Sequence, residues 1–356
     1  WPAKLVWLRE TQPAVFARVT RWVSFGELLL ERLTGEGSVS LSMASGTGLL
    51  NLHTCLWDTQ VLLASGIRTE HLSPLANART WPVLSGADWL RRWPRLDGVA
   101  WLHAVGDGAC SNLGAGCVTP ERCAVMIGTS GAERVAWSPT GAFEAPWGAW
   151  CYRIDQQRLV LGGALNDGGS LVDWLRGALR VADPGALEAE LDGIPPDSHG
   201  LTVLPFWAGE RSPGYADDAR GAIVGMRLST RPVDIVRACL EAVALRFATI
   251  DRILLEALPN APQVVATGGA LLHSAVWMQI VADAIGRPVL ASSEAEASSR
   301  GAALLALDAL GLLDAPLEAQ RPAVTRTFEP VAAHTQRYAA ALARQQRLYH
   351  ALSVVG

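Results

Sequence analysis

One acid, Asp107, stands between Gly106 and Gly108 in the stretch "LHAVGDGACSNLGAGC" (residues 102–117), and small side chains surround it. A carboxylate placed where the backbone is most permissive can accept a proton from a substrate hydroxyl, a transfer typically worth about 10²- to 10⁴-fold in rate. The same residue can equally be a helix cap or an Asx-turn acid, and the local sequence leaves these readings level. Two more glycine turns, Gly128-Thr129-Ser130-Gly131 and Gly268-Gly269-Ala270, each follow an apolar run. Glycine lets backbone amides turn toward a ligand and lets that ligand approach with no Cβ in the way, so these two turns suggest phosphate or nucleotide contacts. A helix beginning just after the second turn adds positive potential for anions. Such turns also close ordinary connections in α/β proteins, and "SGTGLLNL" (45–52) reads as an ordinary turn before a buried leucine run. Neither G-x-x-x-x-G-K-[ST] nor G-x-G-x-x-G before a helix occurs, which excludes a P-loop or Rossmann site.

The elements that must position these residues follow from periodicity. Residues 13–33 place Val15, Val19, Trp22 and Val23 at helical spacing, with Gly35 as a stop. Residues 72–98 are rich in Pro, Gly and Trp and read as connecting structure. Strand character returns at "GVAWLHAVG", just before Asp107. From residue 120 the pattern becomes strand, glycine turn and strand, and then apolar runs alternate with helices to a terminal helix near 334–352. This alternation argues an α/β architecture with a domain boundary near Thr119 and Pro120. Gly286, followed by Pro288, closes the helix over Ala275–Ile285.

Half of the 356 residues are hydrophobic, enough for two domains with their own cores, which excludes a disordered or fibrous chain. The net charge of −4 leaves no basic footprint, so no nucleic-acid partner is expected. Every basic residue except Lys4 is Arg, which we read as codon bias. The six cysteines form no C-x-x-C pair and accompany no His cluster, which argues against zinc and dithiol chemistry and for buried thiols in a reducing cytoplasm. No apolar stretch is long enough to span a membrane. The chain opens on Trp1 rather than Met and runs directly into a helix-like segment, so a piece of a longer protein is expected.

Taken together, these motifs resemble the FGGY family of carbohydrate kinases, of the actin-like, ribonuclease-H-like ATPase group. The stretch "GAIVGMRLSTRPVDIVRACLE" (221–241) resembles the family's C-terminal signature, departing at Cys239. "KLVWLRE" (4–10) resembles the tail of the N-terminal one. "SMASGTGLLNLHTCLWD", "GDGACSNLGAG", "IGTSGAERV", "GGALNDGGSLVDWL" and "TGGALLHSAVWMQIVADAIGRPV" fall in the family's order and at about its spacing.

The resemblance implies a two-domain α/β fold, with 1–119 as the C-terminal part of a sugar-side domain and 120–356 as a nucleotide-side domain. It implies that Asp107 contacts the sugar and is the catalytic base, that Gly128, Thr129 and Ser130 contact phosphate, and that Gly169 approaches the nucleotide. Gly268, Gly269 and Ala270 match the adenosine motif, with His273 beside it. ATP and Mg²⁺ are the implied co-substrate and ion. The family's N-terminal D-x-G-[TS] hairpin is absent here, so a truncated first domain and weak or no activity are expected, and an exposed face of that domain would favour a partner or a homodimer. The flavour of the motifs favours gluconate, with xylulose or another ketopentose as the alternative; Gly108 stands where glycerol-type members carry Gln. Readings of another class are a non-catalytic nucleotide-binding remnant and a chaperone-like ATPase.

Overall fold

Apolar β-rich runs after residue 120 form the centre of the structure, a computed structural model that describes residues 1–76, 81–258 and 263–353. Seven strands make one mixed sheet in the order 324–328, 289–292, 263–267, 122–127, 131–137, 159–165, 150–153. The strand Arg122–Ile127 runs parallel to Gln263–Thr267 and antiparallel to Gly131–Trp137, with Ile127 opposite Gly131 across the turn. Leu159–Leu165 is buried along its whole length, which explains why it reads as a continuous apolar run rather than an alternating one. Against the sheet lies the 26-residue helix Pro232–Ala257. Pro232 opens it, and the backbone amide of Arg231 donates to Asp234 Oδ2 at 2.9 Å. Phe247, Ile250 and Leu254 on this helix join Val125, Leu161 and Trp277 in the main core. Helix Ala275–Ile285 packs beside it, begun by the Ser274 hydroxyl, which accepts from the Trp277 amide, and ended by Gly286 in the left-handed conformation at φ 77°.

Residues before 119 are built differently. Among the described residues they hold short helices and a single ladder of two-residue strands, Leu50–Asn51 with Leu56–Trp57. Leu5, Leu49, Leu62, Ile67 and Leu72 form their main core under Trp1, Trp22 and Trp57. The continuous helix expected over 13–33 breaks in two, Pro13–Phe16 and Phe25–Thr34. The intervening run carries β-branched Val19, Thr20 and Val23, and Trp22 makes a bridge to Leu72 instead. Ser24 then starts the second helix with a full capping box: its hydroxyl accepts from the Glu27 amide, and its own amide donates to the Glu27 carboxylate at 2.7 Å. Gly35 ends it as expected, at φ 79°.

The strand expected before Asp107 also does not form. Ala100 bridges Val83, and residues 101–106 join no ladder. They are held by side chains, since the Ser40 hydroxyl donates to the Ala104 carbonyl at 2.6 Å and the Gly106 amide donates to the Ser42 hydroxyl at 3.1 Å. Within the connecting segment 72–98, residues 77–80 lie outside the described residues; the remainder includes the helix Ala87–Arg92. All six cysteines are free thiols; Cys110, Cys117, Cys123 and Cys239 are buried, while Cys55 and Cys151 are half-buried.

Candidate active site

Asp107 is the first residue of an eight-residue helix, Asp107–Gly114, and its side chain is exposed. The carboxylate accepts the Gly108 amide at 2.7 Å, so the loose amides of the helix start and the acid are mutually stabilising. The rest of the helix is sunk: Gly108, Ala109, Cys110, Asn112 and Leu113 are all buried. Its position is fixed by helix Ala297–Ala309, whose Gly301 lies against the Cys110 carbonyl while Gly114 lies against the Ala297 carbonyl. Only a residue without a Cβ fits at either crossing point. Burial and the neighbouring Asp107 charge push the Cys110 thiol up to about 11, which leaves it protonated and unsuited to be a nucleophile.

Asp107 opens onto a cleft of about 790 Å³ that it shares with Ser45, Ser130, Gly131, Arg134, Tyr152 and Arg211. A smaller adjoining cavity, about 200 Å³, is lined by Asp107, Thr267, Gly268, Glu294 and Glu296. A third hollow, about 720 Å³, is lined by Gly128, Thr129, Gly169, Gly269, Ala270 and His273, with Val236, Leu240 and Trp277 as apolar walls. Six of the eight residues expected at a nucleotide therefore share one pocket. The other two, Ser130 and Gly268, face the Asp107 side.

The turn 128–131 separates these spaces. Gly128 and Thr129 line the apolar-walled pocket; Ser130 and Gly131 line the Asp107 cleft. Backbone bonds stitch the turn to the start of helix Gly169–Ala178: Gly169 donates to the Gly128 carbonyl at 2.7 Å, and Gly168 and Ser170 both donate to the Thr129 carbonyl. Gly268, at φ 88°, passes within van der Waals reach of the Ile127 backbone, where a Cβ would stand 2.5 Å from its carbonyl oxygen. Glu188 accepts from the Ser274 hydroxyl at 2.9 Å and the Val276 amide at 2.8 Å, which holds the mouth of helix Ala275–Ile285 on the pocket. A ligand with an aromatic body and a phosphate tail fits this arrangement: apolar walls for the one, glycine amides for the other, and an acid beyond the tail.

The N-terminal domain of the FGGY family of carbohydrate kinases is matched over residues 2–112 and the C-terminal domain over residues 123–310. The chain belongs to the FGGY family of carbohydrate kinases. A gluconokinase from Bacillus subtilis is 28% identical over 323 residues, covering 88% of this chain and 63% of that kinase. Two structures from Lactobacillus acidophilus superimpose on 99% of the chain and 72% of their own: a ligand-bound xylulose kinase at TM-score 0.89 and a gluconate kinase at 0.87, each 27% identical. The fold is accordingly the two-domain, actin-like and ribonuclease-H-like one of the FGGY kinases. The match to the N-terminal domain starts at residue 2, so the expected loss of that domain's first part is not borne out by it. The chain spans just under two thirds of the Bacillus relative's length.

Sequence reasoning missed three residues of the Asp107 cleft: Arg134, Tyr152 and Arg211. For Arg134 a signal existed, because Glu133 and Arg134 interrupt an otherwise apolar strand. Glu133 turns into the core, where burial and the nearby Asp251 raise its pKa well above the ordinary value. Arg134 turns to the cleft.

Proposed function

We propose that this chain transfers the γ-phosphoryl group of ATP to a hydroxyl of a sugar or sugar acid, gluconate first. The observation that carries the reading is the turn 128–131, which lines a nucleotide-sized pocket with Gly128 and Thr129 and the Asp107 cleft with Ser130. The ligand's base would lie between Leu240, Ala270, His273 and Trp277, with Gly169, Gly268 and Gly269 allowing close backbone approach. Its phosphates would run along the turn, where amides and the Thr129 and Ser130 hydroxyls donate to phosphate oxygens. Asp107 takes the proton from the acceptor hydroxyl as its oxygen bonds to the γ-phosphorus; the bond from that phosphorus to the bridging oxygen breaks, and ADP leaves. Such transfer depends on positioning and charge neutralisation more than on covalent help from the protein.

Asp107, Glu294 and Glu296 line one cavity, a carboxylate set suited to a magnesium ion that arrives on nucleotide phosphates. When bound, that ion neutralises phosphate charge. The gluconokinase and gluconate kinase relatives support gluconate; the xylulose kinase keeps a ketopentose as the second reading. We divide the chain into a sugar-side domain over 1–119 and a nucleotide-side domain over 120–356, in keeping with matches that stop at 112 and resume at 123. The partner is then a small molecule in the cytoplasm, with a homodimer as the proposed assembly. Among the described residues no helix is long and apolar enough to cross a membrane.

The test is ADP release by a coupled assay with gluconate, xylulose, ribulose and glycerol. ADP release that depends on gluconate is expected, weak from this chain, which spans 63% of the Bacillus kinase. ATP hydrolysis indifferent to any polyol would make the protein an ATPase, and no release with any acceptor would make it a non-catalytic nucleotide binder.

A further inference from the structure

Arg134 is the unexplained charge of the Asp107 cleft. It sits in the middle of the strand Gly131–Trp137, paired with Gly162 on the neighbouring strand, and its residue neighbours on that strand are buried. Its Nε and Nη1 are shut off from solvent and have no hydrogen-bond partner, and among the described residues it joins no ion pair. A guanidinium carries five donors in a fixed fork and is costly to bury with those donors idle. Burial lowers the Arg134 pKa from its ordinary value, with Tyr152 and Asp107 only partly opposing it, and the Asp107 carboxylate accepts from the Gly108 amide. The Trp150 ring lies 6.0 Å away and offers only its face. Arg211 adds a second positive group to the same cleft.

The glycine at 108 makes this arrangement possible. A Cβ there would stand 2.8 Å from the Tyr152 hydroxyl and 3.1 Å from Arg134 Nε. The guanidinium and the phenol therefore fill the space that a side chain at 108 would take, directly beside the acid. A guanidinium with idle donors, on a residue that lines a cleft together with a second arginine, matches a planar oxyanion.

We propose that Arg134 determines substrate specificity by donating to the carboxylate of an open-chain sugar acid, so that a hydroxyl elsewhere on the acid's chain faces Asp107. This rests on the kinase reading above and deepens it. The other oxyanion within reach is the terminal phosphate of the nucleotide. Arg134 lines both cavities at Asp107 and is not among the residues of the Gly128–Thr129 pocket, while the phosphates have the amides of the 128–131 turn. The geometry therefore assigns the arginine to the acceptor.

The experiment compares gluconate with its neutral analogue glucitol, as acceptors and as ligands in calorimetry with ADP present, for the chain as it is and for Arg134→Met and Arg134→Lys. The unmodified chain should favour gluconate over glucitol by at least about tenfold. Arg134→Met should weaken gluconate by about 10- to 100-fold, the range for losing hydrogen bonds to a charged group, through KM and binding. It should leave glucitol and the ATP KM nearly unchanged, so that the preference disappears, and Arg134→Lys should restore part of it. Met matches the length of the arginine stem and introduces no polar atom, and circular dichroism checks that the variant is folded. An unchanged gluconate-to-glucitol ratio overturns the proposal. Equal losses on both acceptors with a raised ATP KM also overturn it and give the arginine to the phosphate. If no acceptor is phosphorylated, the kinase reading fails separately; gluconate binding lost in Arg134→Met then still supports a carboxylate site, and absence of gluconate binding overturns it.

Discussion

The amide of Gly169 donates to the carbonyl of Gly128 at 2.7 Å, and a Cβ on Gly169 would stand 2.6 Å from that same oxygen. It would also stand 2.9 Å from the Ala270 Cβ. The helix start and two glycine turns are thus packed at backbone contact around one pocket, and none can move without the others. Gly169→Ala should lower stability by about 1–3 kcal/mol, the usual cost of overpacking. It should also weaken ATP by roughly tenfold, since about 1.4 kcal/mol of lost binding is a factor of ten. Urea denaturation and an ATP titration read the two effects; a destabilised variant with full ATP affinity would show that the ligand does not use this wall.

Asp107→Asn keeps size and the hydrogen bond from Gly108 but removes the proton acceptor. Turnover should fall by at least about 10²-fold, the lower end for general-base catalysis, with ATP affinity retained. Stability should change by no more than about 1 kcal/mol, because the acid's interaction with its helix start is an exposed one. Steady-state kinetics with gluconate checks it, and turnover within a few-fold of normal would remove Asp107 from the chemistry.

Much of the architecture after residue 120 was legible because its signals are local. A strand, a glycine turn and a strand over 122–137, the long apolar helix from Pro232 and the Gly286 stop all announce themselves within a few residues of where they act. Six candidate residues converge on one pocket because they lie in or just after the turns that leave strands 122–127 and 263–267 and at the start of helix Gly169–Ala178. Residues 98–106 were misread because a strand needs a partner, and apolar content alone does not report that Ser40 and Ser42 hold this segment instead. The break in 13–33 depended on the Ser24 capping box outcompeting helical periodicity. Strand Val324–Phe328 went unread because it is an exposed edge strand, with only Phe328 buried. Arg134 could be noticed as a charge in an apolar strand, but its meaning came only with Tyr152 and Gly108 beside it, one next to it in the fold and far away in the chain.

Glu241 ties together the segment before strand Thr202–Leu204, helix Pro232–Ala257 and helix Ala332–Ser353. Arg237 Nε donates to its Oε1 at 2.7 Å, the Tyr338 hydroxyl donates to the same oxygen at 3.0 Å, and His199 Nε2 lies 3.0 Å from Oε2. Burial alone would raise this carboxyl, but the His199 hydrogen bond and the Arg237 charge outweigh it and hold it below the ordinary value of 4.5. A folded-state value below the unfolded one means that the unfolded chain binds the extra proton. The network's contribution is therefore present above about pH 4.5 and is lost as pH falls below it. Glu241→Gln should lower the urea midpoint at pH 7 and narrow the difference between pH 7 and pH 4. An unchanged pH dependence would show that other carboxylates carry the acid sensitivity.

Gly301 tests whether Asp107 is positioned from behind. Helix Ala297–Ala309 crosses helix Asp107–Gly114 with backbone against backbone, and the Arg300 guanidinium donates to the Gly114 carbonyl across the same joint. A Cβ at 301 would overlap the Cys110 carbonyl and lie 2.9 Å from the Gly114 amide nitrogen. Neither atom belongs to a flexible side chain, so the short helix must move outward and carry Asp107 with it. Gly301→Ala should cost about 1–3 kcal/mol of stability. Its kinetic effect should fall on kcat, because a misplacement of about 1 Å at the reacting atoms can cost on the order of 10²-fold. ATP affinity should hold, since no residue of this helix lines the Gly128–Trp277 pocket. Thermal unfolding, kcat and ATP binding measured on one preparation separate these effects; a loss of ATP affinity matching the loss of kcat would mean that the crossing supports both cavities and not Asp107 alone.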